Sequence, residues 1–350
     1  MRICYFPGRE SAYSRTRVLK RAMRSAGIDL LDCSVPRKDI SRYFIGFLRF
    51  LRNAWKCDLV LVGFMGHFLM PIVRLFTRKP VVFDAFVSVY QTMVSDRRTF
   101  REGGLFASLA MSTDRLACRL ADKVIVDTCA HAEYFSRVIG VDSEKLLRIP
   151  ASADDSVMTP GPGRPEDRQF VVHFHGEFQR LHGAEHIISA AELVPEARFR
   201  LIGRGCTLEA CERAATEKRL ENVEFMESVT YEELARLIRE SDVCLGIFGD
   251  TEKARLVIPN KVYEALASAK AVITADTPAA REILEHRVNA MLCPIADPAG
   301  IAACIRELIN DSALRKKIAG SGERTFRERC SPAVIGKELE RSLSSFLSRD

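Results

Sequence analysis

Tryptophan is nearly absent, Trp55 standing alone, and no apolar run reaches membrane-spanning length: the longest uncharged stretch, Leu59–Val73, has fifteen residues and contains Pro71. Spanning takes about twenty residues, so no transmembrane helix is expected. Paired cysteine spacings are missing too. Eleven cysteines occur singly, without a C-x-x-C or a Cys/His cluster, which argues against a disulfide scaffold or a zinc site and for small apolar core residues in a reducing compartment. The three-glycine dinucleotide fingerprint is absent: PGRESAYSRTR after the first expected strand has one glycine, and GRGCTL after Ile202 lacks the third. That excludes the usual nicotinamide dehydrogenase. The opening MRICYFPG reads as a strand and lacks the apolar length and cleavage site of a signal peptide, so a cytoplasmic protein is expected.

What is present is alternation. Short apolar strands are expected at Arg2–Phe6, Asp29–Ser34, Asp58–Phe64, Pro80–Phe86, Lys123–Thr128 and Lys145–Pro150, with helical patterns near 14–26, 38–55, 66–77, 101–121 and 129–139. A Pro/Gly-rich linker, PGPGRPED at 160–167, follows. The alternation then resumes with strands at Phe170–His175, Arg198–Gly203, Asn222–Met226, Val243–Phe248, Ala271–Ala275 and Ala290–Ile295. Continuous apolar strands separated by helices mean parallel sheets covered on both faces. The expected fold is α/β, two tandem doubly wound (Rossmann-like) domains at 1–160 and 168–330 facing across a cleft, with a terminal helix over 331–350. TYEE at 230–233 reads as a capping box, and Asp297-Pro298 as an N-cap followed by proline at the first helical position.

Charge is unevenly placed. From Arg37 to Glu102 twelve Lys/Arg face five Asp/Glu, a net of +7 against +6 for the whole chain. In Lys38–Lys56, Phe44, Phe47, Leu48 and Leu51 recur at helical spacing, interleaved with Arg42, Arg49, Arg52 and Lys56 and ending near Trp55. That pattern fits a helix on an anionic membrane surface, or one packed on its own sheet with a solvated basic flank. No nucleic-acid motif accompanies the charge, so no nucleic-acid partner is expected.

The most informative stretch is LGIFGDTEKARLVIPNKVYEALASAKAVITAD, Leu245–Asp276, read as strand, loop, helix, strand. A helix N-terminus presents N–H groups without helical partners and the positive end of the macrodipole, which together hold a phosphate. Lys261 in the first turn opposes that dipole unless an anion is bound. A surface pair of Lys261 with Glu264 accounts for it equally well. Asp84 ends a first-domain strand where an acceptor or sugar could meet it, although an N-cap or turn aspartate reads the same.

IPNKVYEALASAKAVI resembles the donor-site segment of the family-four retaining glycosyltransferases of GT-B architecture. The likeness extends through YSRTRVLKRAMRSAG, VVFDAFVSVY, LADKVIVDT, HGEFQRLHGAEHII and NAMLCPIADPAGIAACI. It implies transfer from a nucleoside-diphosphate sugar, without metal or other cofactor, to a glycan or lipid-linked acceptor. Glu264 would bind the ribose, with Gly176, Gly203, Arg204 and Asn260 lining the nucleotide. Where the family usually has a further Glu eight residues earlier stands Leu256, so the resemblance is to the branch with a Pro-Asn-Lys entry. The two cations that usually grip the diphosphate are Glu177 and His182 here. The charge is therefore expected to fall to Arg180, Lys261 and the helix start, with Lys253 nearby; Asp84, Arg180 and Lys261 are the expected catalytic residues. Family retention implies departure and attack on one face of the sugar, the leaving diphosphate helping to deprotonate the acceptor. An epimerase-like sugar-nucleotide enzyme and a non-catalytic binding protein of this architecture stay open.

Overall fold

The computed structural model describes residues 1–161 and 168–348, so most of the expected linker at 160–167 lies outside the described residues. The chain forms two compact units, one of Met1–Asp154 rejoined by the chain from Pro332 onward, the other of Asp155–Ser331.

In the first unit six parallel strands, β1 (Arg2–Pro7), β2 (Asp29–Asp32), β3 (Leu59–Gly63), β4 (Val81–Asp84), β5 (Lys123–Val126) and β6 (Leu146–Arg148), lie in the order β2-β1-β3-β4-β5-β6. Ile3, Leu59, Leu61, Val82 and Ile125 are fully buried in one core, as continuous apolar strands in a sheet covered on both faces require. The same core takes Val18, Leu19 and Ala22 from the helix Ser14–Ser25 and Ile335, Leu339 and Leu343 from the terminal helix Pro332–Leu347. These two helices approach at Gly336, where a Cβ would stand 2.1 Å from the Ala22 carbonyl oxygen.

The second unit repeats the plan with β7 (Phe170–Glu177), β8 (Ala197–Arg204), β9 (Val223–Met226), β10 (Val243–Leu245), β11 (Ala271–Ala275) and β12 (Met291–Cys293), ordered β12-β11-β10-β7-β8-β9. The chain runs outward from β7 through β8 to β9, then returns to the other side of β7 as β10. The crevice at the carboxyl ends of β7 and β10 is thus the topological switch point, where open α/β sheets bind ligands.

Strand β10 stops three residues before its expected end. Gly246 lies so close to Thr274 that a Cβ would meet its Oγ1 at 2.3 Å, and the chain turns away: Phe248 N–H donates to the His182 carbonyl at 3.0 Å and Gly249 N–H to that of Leu181 at 3.2 Å. Thr230 caps its helix through Glu233 N–H at 3.2 Å, but Glu233 pairs with Arg236 instead of closing a capping box. The helix Pro298–Asn310 starts at the proline, while Asp297 makes no side-chain cap bond. Among the described residues no helix is long and apolar enough to cross a membrane.

Candidate functional site

The loops leaving β7 and β10 are laid against each other by glycines. Gly183, at φ +62°, would put a Cβ 2.5 Å from Gly249 N, and a Cβ on Gly249 would stand 2.3 Å from the Arg180 carbonyl oxygen. Only residues without a Cβ allow this approach, which fixes the single 3₁₀ turn Arg180–His182 at the mouth of the crevice.

The helix Asn260–Ala267 enters the crevice after Pro259, and no side chain caps it. Lys261 and Glu264 are both buried, at 5% and 4% exposure, so the surface-pair reading of these residues does not hold. The Lys261 Nζ lies 3.9 Å from the centroid of the Phe174 ring, and a Cβ on Gly176 would be 3.0 Å from it. Gly176 sits at φ +144°, a conformation and a contact that both select glycine. Nζ has no hydrogen-bond partner in the protein. Burial accordingly pushes the amine well below the usual lysine range, against the pull of Glu264.

One turn on, Glu264 Oε2 accepts from His175 Nε2 at 2.8 Å, and His175 Nδ1 lies 3.0 Å from His173 Nε2. A neutral imidazole at His175 would have one proton to give, to the carboxylate. With His175 donating from Nε2, its Nδ1 is the acceptor and His173 donates from Nε2, leaving His173 Nδ1 a bare, buried nitrogen without a partner. Burial and the neighbouring His175 hold His173 well below the ordinary histidine range, as this neutral form requires. Glu264 Oε1 is not used by this chain of bonds.

His182 closes the cluster. It is buried edge-on to Phe174 at 5.9 Å, its Cε1 would lie 3.2 Å from a Cβ on Gly176, and burial, then Lys261 and Lys253, keep it neutral. Its Nδ1 is also unpartnered.

Of the residues singled out in the sequence, Gly176, Lys261 and Glu264 come together here, with Asn260 half-buried beside Lys261. Gly203 pairs with Gly176 across β7 and β8, and Arg204 lies in register with Glu177 at the strand ends. Arg180 and Arg204 are exposed and make no ion pair among the described residues. Asp84 stands in the first unit with both oxygens held by a buried arginine, Arg15 Nη2 at 2.9 Å and Nε at 3.1 Å. Its side chain is 0% exposed, so the carboxylate belongs to an internal ion pair rather than to an open strand end. Leu256 falls in a short helix, Glu252–Leu256, inside what was expected to be loop. Sequence reasoning did not single out His173 and His175; their signal was two polar residues two apart in an otherwise apolar strand.

The two sheets and the switch-point crevice define a two-domain α/β protein of GT-B architecture. Residues 169–311 match the model of the family described as Glycosyl transferases group 1. The lipopolysaccharide core biosynthesis glycosyltransferase LpsD of Rhizobium meliloti is 28% identical over 173 residues, 47% of either chain. The chain spans less than half the length of the curated relatives it matches. Among solved structures, sucrose-phosphate synthase of Thermosynechococcus elongatus superposes with a TM-score of 0.78 at 16% identity, covering 100% of both chains. HepE of Anabaena, solved with UDP-glucose, gives 0.75 at 16% identity, covering 99% of this chain and 100% of its own. The family match lies within the second unit and takes in fewer than half of the residues, while the solved structures share the two-domain GT-B fold over the whole chain.

Proposed function

We propose that the protein is a retaining glycosyltransferase that moves a sugar from a nucleoside-diphosphate sugar to a glycan or lipid-linked acceptor, acting in the cytoplasm at the inner face of the membrane. It would fall in the branch whose donor helix opens with Pro259-Asn260-Lys261. The observation that carries the reading is the buried Lys261 amine, without a partner, in the first turn of an uncapped helix at the switch point. A diphosphate supplies what that amine lacks, and the helix N-terminus adds backbone donors. Arg180, exposed on the facing turn, brings a second cation in place of those missing at Glu177 and His182. Glu264, oriented by His175, offers Oε1 to the ribose hydroxyls. In this reading the protein stabilises the leaving diphosphate electrostatically, and the diphosphate helps to take the acceptor proton. Asp84 acts by fixing Arg15 rather than by touching sugar. HepE was solved with UDP-glucose and LpsD is named for lipopolysaccharide core biosynthesis, which favours a uridine nucleotide and a cell-surface glycan.

Thermal unfolding with UDP, GDP, ADP and CMP at matched concentration tests the donor. A nucleotide at 100 times its Kd stabilises by about 2.7 kcal/mol, and one of the diphosphates is expected to do so. No shift with any of them contradicts the proposal. Product with inverted anomeric configuration would contradict retention alone.

A further inference from the structure

Exposed large apolar side chains are concentrated in one part of the molecule. Of the seventeen among the described residues, fourteen lie between Ile40 and Leu116; Val138, Leu193 and Val288 are the others. Scattered single residues of this kind are ordinary on a protein surface, whereas a contiguous set marks an interaction face.

Topology makes the set contiguous. The crossovers β2 to β3, β3 to β4 and β4 to β5 all step the same way along the sheet, and right-handed crossovers in one direction place their helices on one face. These helices are Ser41–Asn53, Leu69–Phe76 and Leu105–Leu120. The first two touch through Phe47 and Phe76, whose rings meet edge to face at 5.3 Å, and the second packs against the third. The inner side of the first helix is satisfied: Phe50 is fully buried and stacks on Phe6 of β1 at 5.7 Å. Its outer side is not, with Phe44 and Leu48 at 65% and 50% exposure. On the second helix and its entry turn, Phe68 and Leu75 are 75% and 80% exposed; on the third, Leu105 and Phe106 are 82% and 62%.

We infer that the outer face of these three helices is a docking plane for an anionic lipid bilayer, steered by charge and retained by insertion of apolar side chains. The charge around the plane suits that occupant. Arg52, Lys56, Arg78, Lys79 and Arg101 are exposed and make no ion pair among the described residues. Asp84, Asp96 and Asp114 are buried, so three of the carboxylates in this part of the chain do not offset them. Lys56 lies over the ring of Trp55 at 4.9 Å, and Trp55 is 72% exposed, an aromatic with a cation beside it as suits the headgroup level. Arg49 serves the fold instead, its Nη1 donating to the Ser34 carbonyl at 2.6 Å and so tying the first helix to the chain just past β2.

The inference takes its membrane setting from the proposed function, but vesicle binding needs neither nucleotide nor turnover. Failure here would leave nucleotide binding by the second unit untouched, and failure of the nucleotide test would leave this surface as it is. The test is co-sedimentation of the full chain with vesicles of phosphatidylethanolamine and phosphatidylglycerol, and with vesicles of phosphatidylcholine, at about 0.1 M and 0.5 M salt, where the Debye length falls from near 10 Å to half of that or less. Wild type is expected to bind the anionic vesicles at low salt and to keep a measurable part at high salt. Leu75→Glu with Leu105→Glu, both positions outside the basic helix, is expected to lower the partition coefficient at least tenfold and abolish the salt-resistant part. Arg52→Glu with Arg78→Glu is expected to remove most of the preference for anionic lipid. Leu193→Glu, in the second unit, controls for adding charge and is expected to change nothing. No vesicle binding by wild type, or binding indifferent to the Leu75/Leu105 pair, would overturn the inference. So would an oligomer that this pair converts to monomer without any effect on vesicles, which would make the face a contact between copies of the chain.

Discussion

Lys261 shows how far a single residue can be read. A cation in the first turn of a helix is a local contradiction, and the contradiction is visible in the sequence. Its resolution is not, because it depends on burial against Phe174 and on the closeness of Gly176, eighty-five residues earlier in the chain. The consequence is a proton-linked binding reaction. Burial holds the amine's pKa well below the usual lysine range in the free protein, and in the proposed reading a diphosphate raises it, so at pH values between the two nucleotide binding is expected to take up a proton. Affinity then strengthens as pH falls, until the free amine is itself protonated. Calorimetric titration in two buffers of different ionisation enthalpy measures the uptake. Lys261→Met should abolish it, and an unchanged proton count in that variant would mean the phosphates lie elsewhere. Asp84 is the opposite case. Its place at the end of β4 was legible, but its partner Arg15 is sixty-nine residues away, and nothing local announces a buried ion pair.

At the scale of elements, the apolar runs located the twelve strands found among the described residues, because a sheet covered on both faces leaves little doubt about which segments are inside it. Strand ends were less legible. Val243–Phe248 is apolar throughout, yet only its first half is strand; the rest is drawn off by Gly246 beside Thr274 and by the Leu181–His182 carbonyls. The histidines of β7 became part of the site only through the placement of the helix Asn260–Ala267, an arrangement between segments eighty-nine residues apart. The contact between the helices Ser14–Ser25 and Pro332–Leu347 rests on Gly336 facing the Ala22 backbone. Gly336→Ala puts a methyl against a carbonyl that has no room to move without shifting the helix. A loss of about 1–3 kcal/mol in chemical denaturation is expected, despite alanine's better helix propensity. A neutral or stabilising result would show that the helices separate easily.

For the molecule as a whole, two parallel sheets of doubly wound type follow from the strand–helix alternation, and the switch point between β7 and β10 follows from strand order. The alternation gives the number of strands but not their order, so the crevice could be placed only on resemblance until the sheet was known. What the crevice holds is the central claim, and Glu264 is its most direct probe. Its Oε2 is taken by His175, which in the proposed reading leaves Oε1 to meet the ribose. Glu264→Gln should keep the fold, since an amide oxygen still accepts from His175, while weakening UDP binding by about 1–3 kcal/mol, the cost of a charge-assisted hydrogen bond. The decisive measurement is titration of wild type and Glu264→Gln with UDP, with unfolding followed in parallel. The account predicts a fall in affinity of roughly tenfold to a hundredfold in a variant that unfolds as wild type does. Equal affinity in a folded Glu264→Gln protein would contradict it.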